Sequence, residues 1–235
     1  MTTGQLHQPQ PINRIELLMQ AVVRLLTGIL VLVLLLFLPA GTWNYWQAWV
    51  YLGVILIPML FAGAYLLKYA PDLLERRIRA RERESAQKGI VALFVVCFLV
   101  MFALPGLDQR FGWSHVPTAI VIAANVIVLA GYAIFFLTMR ENRYAARVVE
   151  VDQGQTVISS GPYGIVRHPM YVGIILFYVF SPLALGSWWA ILPALLIIPL
   201  LVLRIRNEEA VLLRDLPGYA AYKQQVKYRL LPGVW

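Results

Sequence analysis

Apolar positions in this chain fall in long unbroken runs, not in the alternation of half-buried strands. Six segments stand out: Leu17–Leu38, Ala48–Leu67, Ile90–Leu104, Thr118–Met139, Met170–Leu185 and Trp188–Leu203. A helix needs about 20 apolar residues to cross a hydrocarbon layer about 30 Å thick. The first, second and fourth runs reach that length, and the third does so once Pro105–Leu107 is included. In lipid, only helices and closed barrels satisfy every backbone polar group, and these runs lack the short alternating segments of barrel strands. The pattern predicts an all-α, polytopic integral membrane protein with about six transmembrane helices. The last two runs have 16 residues each, about 24 Å as helix, and Gly186 lies between them. They predict a short helical hairpin that either spans or stops below the far interface; both return the chain to the same side.

Composition agrees with the pattern. Hydrophobic residues make up 60% of the 235 positions and charged residues 14%, against about 45–50% and about 25% in soluble domains. A soluble enzyme, a disordered chain and a nucleic-acid-binding module are all excluded on that ground. The net charge of +8 is explained by where the charges sit. Nineteen of the twenty Lys and Arg residues fall on one side of a six-span arrangement, with only Arg110 opposite. The positive-inside rule then places both termini in the cytoplasm, and the basic excess meets anionic headgroups without any nucleic-acid partner. Host membrane follows the cell type: plasma or inner membrane in a prokaryote, endoplasmic reticulum in a eukaryote. Met1–Pro11 is polar and the run after it is long enough to stay as an anchor, so no cleaved signal is expected.

Smaller features add detail. Trp43, Tyr45, Trp46 and Trp49 form a candidate interfacial belt. Asp72–Lys88 alternates acid and base and predicts a helix lying in water or among headgroups. Asn125, Gln20 and Arg24 are isolated polar residues suited to inter-helix bonds or snorkelling, and Pro58, Pro193 and Pro199 predict kinks. Cys97 is the single cysteine and His7, His115 and His168 are scattered, so no disulfide and no metal site are expected.

Chemistry is sought where polar residues crowd the ends of the spans. Gly161-Pro162-Tyr163-Gly164 leads into Arg167-His168-Pro169-Met170-Tyr171-Val172-Gly173. Pro169 suits a first helical turn, where no N–H donor is needed, and the free N–H groups beside His168 suit an anionic or polar ligand group. An interfacial anchor of Arg and Tyr residues fits the same letters. The second stretch is Arg204-Ile205-Arg206-Asn207-Glu208-Glu209, just past the sixth run. Arg206 and Glu209 share a helical face at i, i+3, either as a local ion pair or as part of a site. Beyond them Tyr219 and Tyr222 share a face in an amphipathic cytoplasmic tail that ends in apolar residues and Trp235, suited to folding back onto the membrane core.

Taken in order, these stretches resemble the isoprenylcysteine carboxyl methyltransferase family and its relatives, the phospholipid methyltransferases. The resemblance rests on Ser160-Gly161-Pro162-Tyr163, Arg167-His168-Pro169-x-Tyr171-x-Gly173, the short hairpin, Arg206-x-Glu208-Glu209-x-x-Leu212, Gly218-x-x-Tyr222 and Pro232. It covers residues 142–235 and implies a cofactor-binding region there, with residues 1–141 as a four-span substrate entrance. It implies S-adenosyl-L-methionine as cofactor and a lipophilic acceptor drawn from the bilayer, with carboxyl O-methylation of an isoprenylcysteine-like substrate favoured. Cofactor contacts are implied for Arg167, His168, Pro169, Tyr171, Gly173, Glu208, Glu209, Tyr219 and Tyr222. Arg206, facing the acceptor carboxylate, and Glu209 are implied as catalytic. A carboxylate is already a nucleophile, so no general base is required, and opposite charges cancelling in a dry site favour transfer. A phospholipid amine or thiol acceptor, an NADPH-dependent sterol-type reductase and a non-catalytic scaffold are the alternatives.

Overall fold

In a computed structural model, residues 14–79, 85–145, 151 and 154–235 are described. Among them the regular structure is helical. Four helices are long and apolar enough to cross a membrane: α1 (Arg14–Ala40), α2 (Trp46–Tyr69), α4 (Ser85–Phe111) and α5 (Thr118–Glu141). The short α3 (Pro71–Arg79) follows α2 directly and covers the start of the acid–base stretch; residues 80–84 lie outside the described part. α6 (Pro169–Ala184) is the first limb of the predicted hairpin.

The second limb is not one helix over Trp188–Leu203. It is built from α7 (Ile191–Leu195) and α8 (Ile197–Asp215), interrupted at Leu196. Pro199 lacks an N–H and its ring crowds the carbonyl four residues back, at Leu195, which is where the break falls. α8 then runs past the apolar segment, so Arg206, Glu208 and Glu209 sit on a continuous helix. A reversal at Gly218 (φ +86°) leads into α9 (Tyr219–Gln225). Only glycine takes that left-handed conformation without strain.

The hairpin reaches the end of the bundle remote from the basic connections. At its tip the Ser187 hydroxyl donates to Asp108 on α4, and Ser114 gives Asp108 both its backbone N–H and its hydroxyl. The Trp188 indole donates to the His115 carbonyl (3.3 Å), and the Tyr45 hydroxyl to the Leu185 carbonyl (2.6 Å). The α1–α2 turn, the α4–α5 loop and the hairpin tip thus close on one another. Tyr45 is fully buried here and is not part of an aromatic belt, whereas Trp43, Trp46 and Trp49 are exposed.

The core lies where α1, α2, α4, α5 and α6 converge, around Leu36, Tyr51, Met101, Phe102 and Val128. Asn125 makes the expected inter-helix bond, its amide reaching the Ala184 carbonyl at 3.4 Å. The closest packing is α5 on α6. A Cβ at Gly131 would stand 2.8 Å from the Gly173 carbonyl oxygen, and one at Gly173 would stand 2.6 Å from that of Gly131. Small residues that let backbones touch supply the packing that hydrophobic burial does not supply in lipid. That contact fixes the height of His168 and Tyr171 on α6 against α5.

Candidate functional site: an ionic hub behind a polar cleft

Arg167 and His168 precede α6 because Pro169 opens it, as the sequence predicts; His168 is the N-cap residue. Their backbone N–H groups donate to the carbonyls of Tyr228 (2.9 Å) and Arg229 (3.0 Å), so the tail is held against them. The Arg167 guanidinium donates to the Val226 and Lys227 carbonyls, each at 2.7 Å, and to Glu209 Oε1 at 2.7 Å. Glu209 Oε2 takes Arg229 at 2.8–2.9 Å, and His168 Nε2 lies 3.4 Å from Oε1. Arg167, His168 and Glu209 are 4%, 5% and 3% exposed, so this is a buried hub that ties α6, α8 and the tail together. Burial alone would raise the Glu209 carboxyl, but hydrogen bonds from His168, Arg167 and Arg229 outweigh it and hold the group down at about 2.

Glu208 points elsewhere. Adjacent helical residues are about 100° apart around the axis, so the two carboxylates part company. Glu208 accepts from the Tyr171 hydroxyl at 2.6 Å, and Arg204 Nε donates to the same phenol oxygen at 3.0 Å. Both face a cleft at the basic end of the bundle, shared with His168, Tyr163, Tyr219 and Tyr222. The cleft encloses about 110 Å³. Its outer wall is α9, held by a bond from the Tyr222 hydroxyl to the Tyr163 carbonyl (2.8 Å), while Asn142 donates to the Tyr163 hydroxyl (3.0 Å).

The Tyr219 hydroxyl is different in kind: it is buried in the cleft wall and has no hydrogen-bond partner among the described residues. Its side chain is 4% exposed. Burial and the charges of Glu209 and Glu208 push its ionisation upward, so it stays a neutral donor and acceptor. Burial likewise pushes Tyr222 up to about 12, against the pull of Arg167. An unpaired buried hydroxyl costs about 1–3 kcal/mol, and a ligand with a polar edge would relieve that.

A second cavity adjoins the first. It is an apolar groove of about 480 Å³ between α4 and α5, with α6 and α8 as its other walls, and Met170, Tyr171 and Arg204 belong to both. Its volume falls within the 300–1,000 Å³ or so of small-molecule sites.

The structure therefore gathers most of the sequence-derived set. His168, Tyr171, Glu208, Tyr219 and Tyr222 line the cleft, and Arg167 reaches its wall. Pro169 is buried beneath it. Glu209 lies in the hub and not among the cleft-lining residues, and Gly173 meets the α5 backbone. Arg206 is exposed and lines neither cavity; Arg204, two residues earlier, stands between them. Sequence reasoning gave no site role to Arg229 or Asn142, and had Tyr163 as a belt residue and as part of the Ser160-Gly161-Pro162-Tyr163 motif without assigning it a contact. The one signal for Arg229 was its place in a tail expected to fold back. Among the described residues no cluster of His, Cys, Asp and Glu could hold a metal ion.

This is a helical membrane protein with a polar cleft at the basic end of its bundle and an apolar groove beside it. Residues 119–216, from α5 through α8, match the family model of the phospholipid methyltransferases. No curated protein matches the chain.

Proposed function

We propose that the protein is an S-adenosylmethionine-dependent methyltransferase that acts on a lipophilic acceptor, with carboxyl O-methylation of an isoprenylcysteine-like substrate as the favoured reaction. Both termini and the cleft would face the cytoplasm. The observation that carries this reading is the buried Tyr219 hydroxyl, unpartnered among the described residues, in a cleft that also holds the Tyr171–Glu208 pair and shares a wall with an apolar groove. Aromatic faces, a carboxylate and a buried phenol suit a ligand bearing a cationic centre, an aromatic base and ribose hydroxyls. When bound, the cofactor supplies an electrophilic methyl group on a sulfonium.

The residues present fit that cofactor in distinct ways. Glu208, kept in place by Tyr171, would accept from the ammonium or ribose hydroxyls. Tyr219 and Tyr222 would close over it from α9. His168 would offer its ring face, stacked near Tyr171 with centroids 5.7 Å apart. Arg167 and Glu209 would act from behind, by keeping the tail and α9 seated. Residues 1–141 would shape the acceptor entrance, since Val91, Phe94, Val95 and Phe98 of α4 and Gly131, Tyr132 and Phe135 of α5 line the groove. Orientation of acceptor against donor would then do most of the catalytic work.

Calorimetric titration of purified protein with S-adenosylmethionine tests the cofactor reading, and methyl-label transfer into a lipid extract tests the reaction. Saturable binding and base-labile label (a methyl ester) are expected. Base-stable label on a lipid headgroup would move the acceptor to a phospholipid amine, and absence of binding would overturn the proposal.

A further inference from the structure

The cleft and the groove are separate cavities with a common wall. Among the described residues three line both: Met170 and Tyr171 from the first turn of α6, and Arg204 from α8. Two of the three are held in place. The Tyr171 hydroxyl donates to Glu208 and accepts from Arg204 Nε, and its ring stacks near that of His168. Tyr171 also belongs to a buried apolar cluster with Ile197, Leu201 and Ile205 of α8, which Val172 and Ile174 extend along α6. Met170 stands between Pro169 and Tyr171 without a place in that cluster, and it is only half-buried. Its unbranched thioether side chain turns about three bonds and adapts to irregular spaces. The wall thus has one adaptable piece, and that piece touches both cavities.

Methyl transfer asks more of this wall than separation. The acceptor's lone pair forms the new bond to carbon while the carbon–sulfur pair leaves with sulfur, in line, from reacting atoms about 3–3.5 Å apart. A donor in the cleft and an acceptor in the groove meet only through the common wall. Tyr171 and Arg204 yield there by giving up hydrogen bonds, whereas Met170 yields by changing rotamer. We infer that Met170 is a positioning residue: its side chain fills the window between cleft and groove and sets the line along which donor and acceptor meet. The inference rests on the proposed function, with the cofactor in the cleft and the acceptor in the groove, and deepens it by one residue.

The first test reads contact and needs no turnover. Full-length protein with isotope-labelled methionine methyl groups, in nanodiscs, is titrated with S-adenosylmethionine and, separately, with methyl hexadecanoate, an uncharged lipophile with no group to methylate. The Met170 methyl resonance, assigned by its loss in Met170→Leu, is expected to shift with each ligand. A resonance that answers to only one of them, or to neither, overturns the inference. The second test reads turnover. Met170→Ala should lower kcat by about tenfold or more while KM for S-adenosylmethionine stays within about threefold, because misplacing the reacting centres costs rate and not grip. Met170→Leu, close in volume, should recover most of the rate. An unchanged kcat in Met170→Ala, or a KM that rises in step with the fall in kcat, overturns the inference. Should Met170→Ala not fold, the labelled wild type decides. Absence of S-adenosylmethionine binding by calorimetry removes the proposed function and this inference together. Binding with an unmoved Met170 resonance rejects the inference alone.

Discussion

Glu208 and Glu209 are neighbours in sequence and opposites in setting. Glu209 is enclosed by two arginines and a histidine and ties the tail to α6. Glu208 has a phenol for company and faces a cleft. One carboxylate is satisfied by the protein, whereas the other stands where a ligand can reach it. The contrast separates residues that build the site from residues that use it, although both kinds carry the same motif letters.

Variants of the two carboxylates should therefore fail differently. The largest effect is expected for Glu209→Gln, which leaves Arg167 buried without its counter-charge. Breaking such a buried pair costs about 3–5 kcal/mol, so thermal unfolding of the extracted protein should shift downward and cofactor binding should fall with it. Unchanged thermal stability would show that the hub is not an anchor. Acid should reproduce part of this loss. The Glu209 carboxyl is held near 2 against an ordinary 4.5, so its contribution is complete above 4.5 and disappears as the pH falls through about 2. Melting temperatures measured across that window should decline in the wild type and more shallowly in Glu209→Gln.

Glu208→Gln should leave melting nearly untouched and weaken S-adenosylmethionine by about tenfold or more, measured by calorimetry. Loss of stability without loss of affinity would reverse the assignment of the two carboxylates. The smallest effect is expected for Tyr219→Phe. Removing an unpaired hydroxyl should leave stability equal or slightly higher, while cofactor affinity drops by the worth of one hydrogen bond, about 0.5–1.5 kcal/mol. Unaltered affinity would mean that the hydroxyl is not a ligand contact.

Much of the fold is legible in run lengths, because a membrane demands them. α1, α2, α4 and α5 follow from their apolar stretches, and α6 from the shorter one opened by Pro169. The break at Leu196 was harder to place, since Pro193 and Pro199 both signal a kink without fixing where it falls. For the site, the order of motifs brought His168, Tyr171, Glu208, Tyr219 and Tyr222 to one cleft. What the letters did not carry was direction. Arg167 reaches the cleft wall, while its guanidinium is engaged by Glu209 and two tail carbonyls. Gly173 lines the apolar groove and is also the point where the α5 and α6 backbones meet. Arg204 and Arg206 are two residues apart, and only the first reaches the cavities, because a helical step of two turns a side chain to the other flank. Arg77 lay within an acid–base stretch that reads as solvated surface, and only the closeness of α3 to α5 places it over the Phe135 ring.

Asp108 has a consequence for how the chain is assembled. Its carboxylate is met by Ser114 from the adjoining loop and by Ser187 from the hairpin tip, which emerges much later from the ribosome. Until that hairpin is threaded to full depth, one oxygen of an acidic group lacks its distal donor. The late hairpin thus acts as the latch for helices already in place, and a chain whose hairpin stalls halfway leaves the remote end of its bundle open.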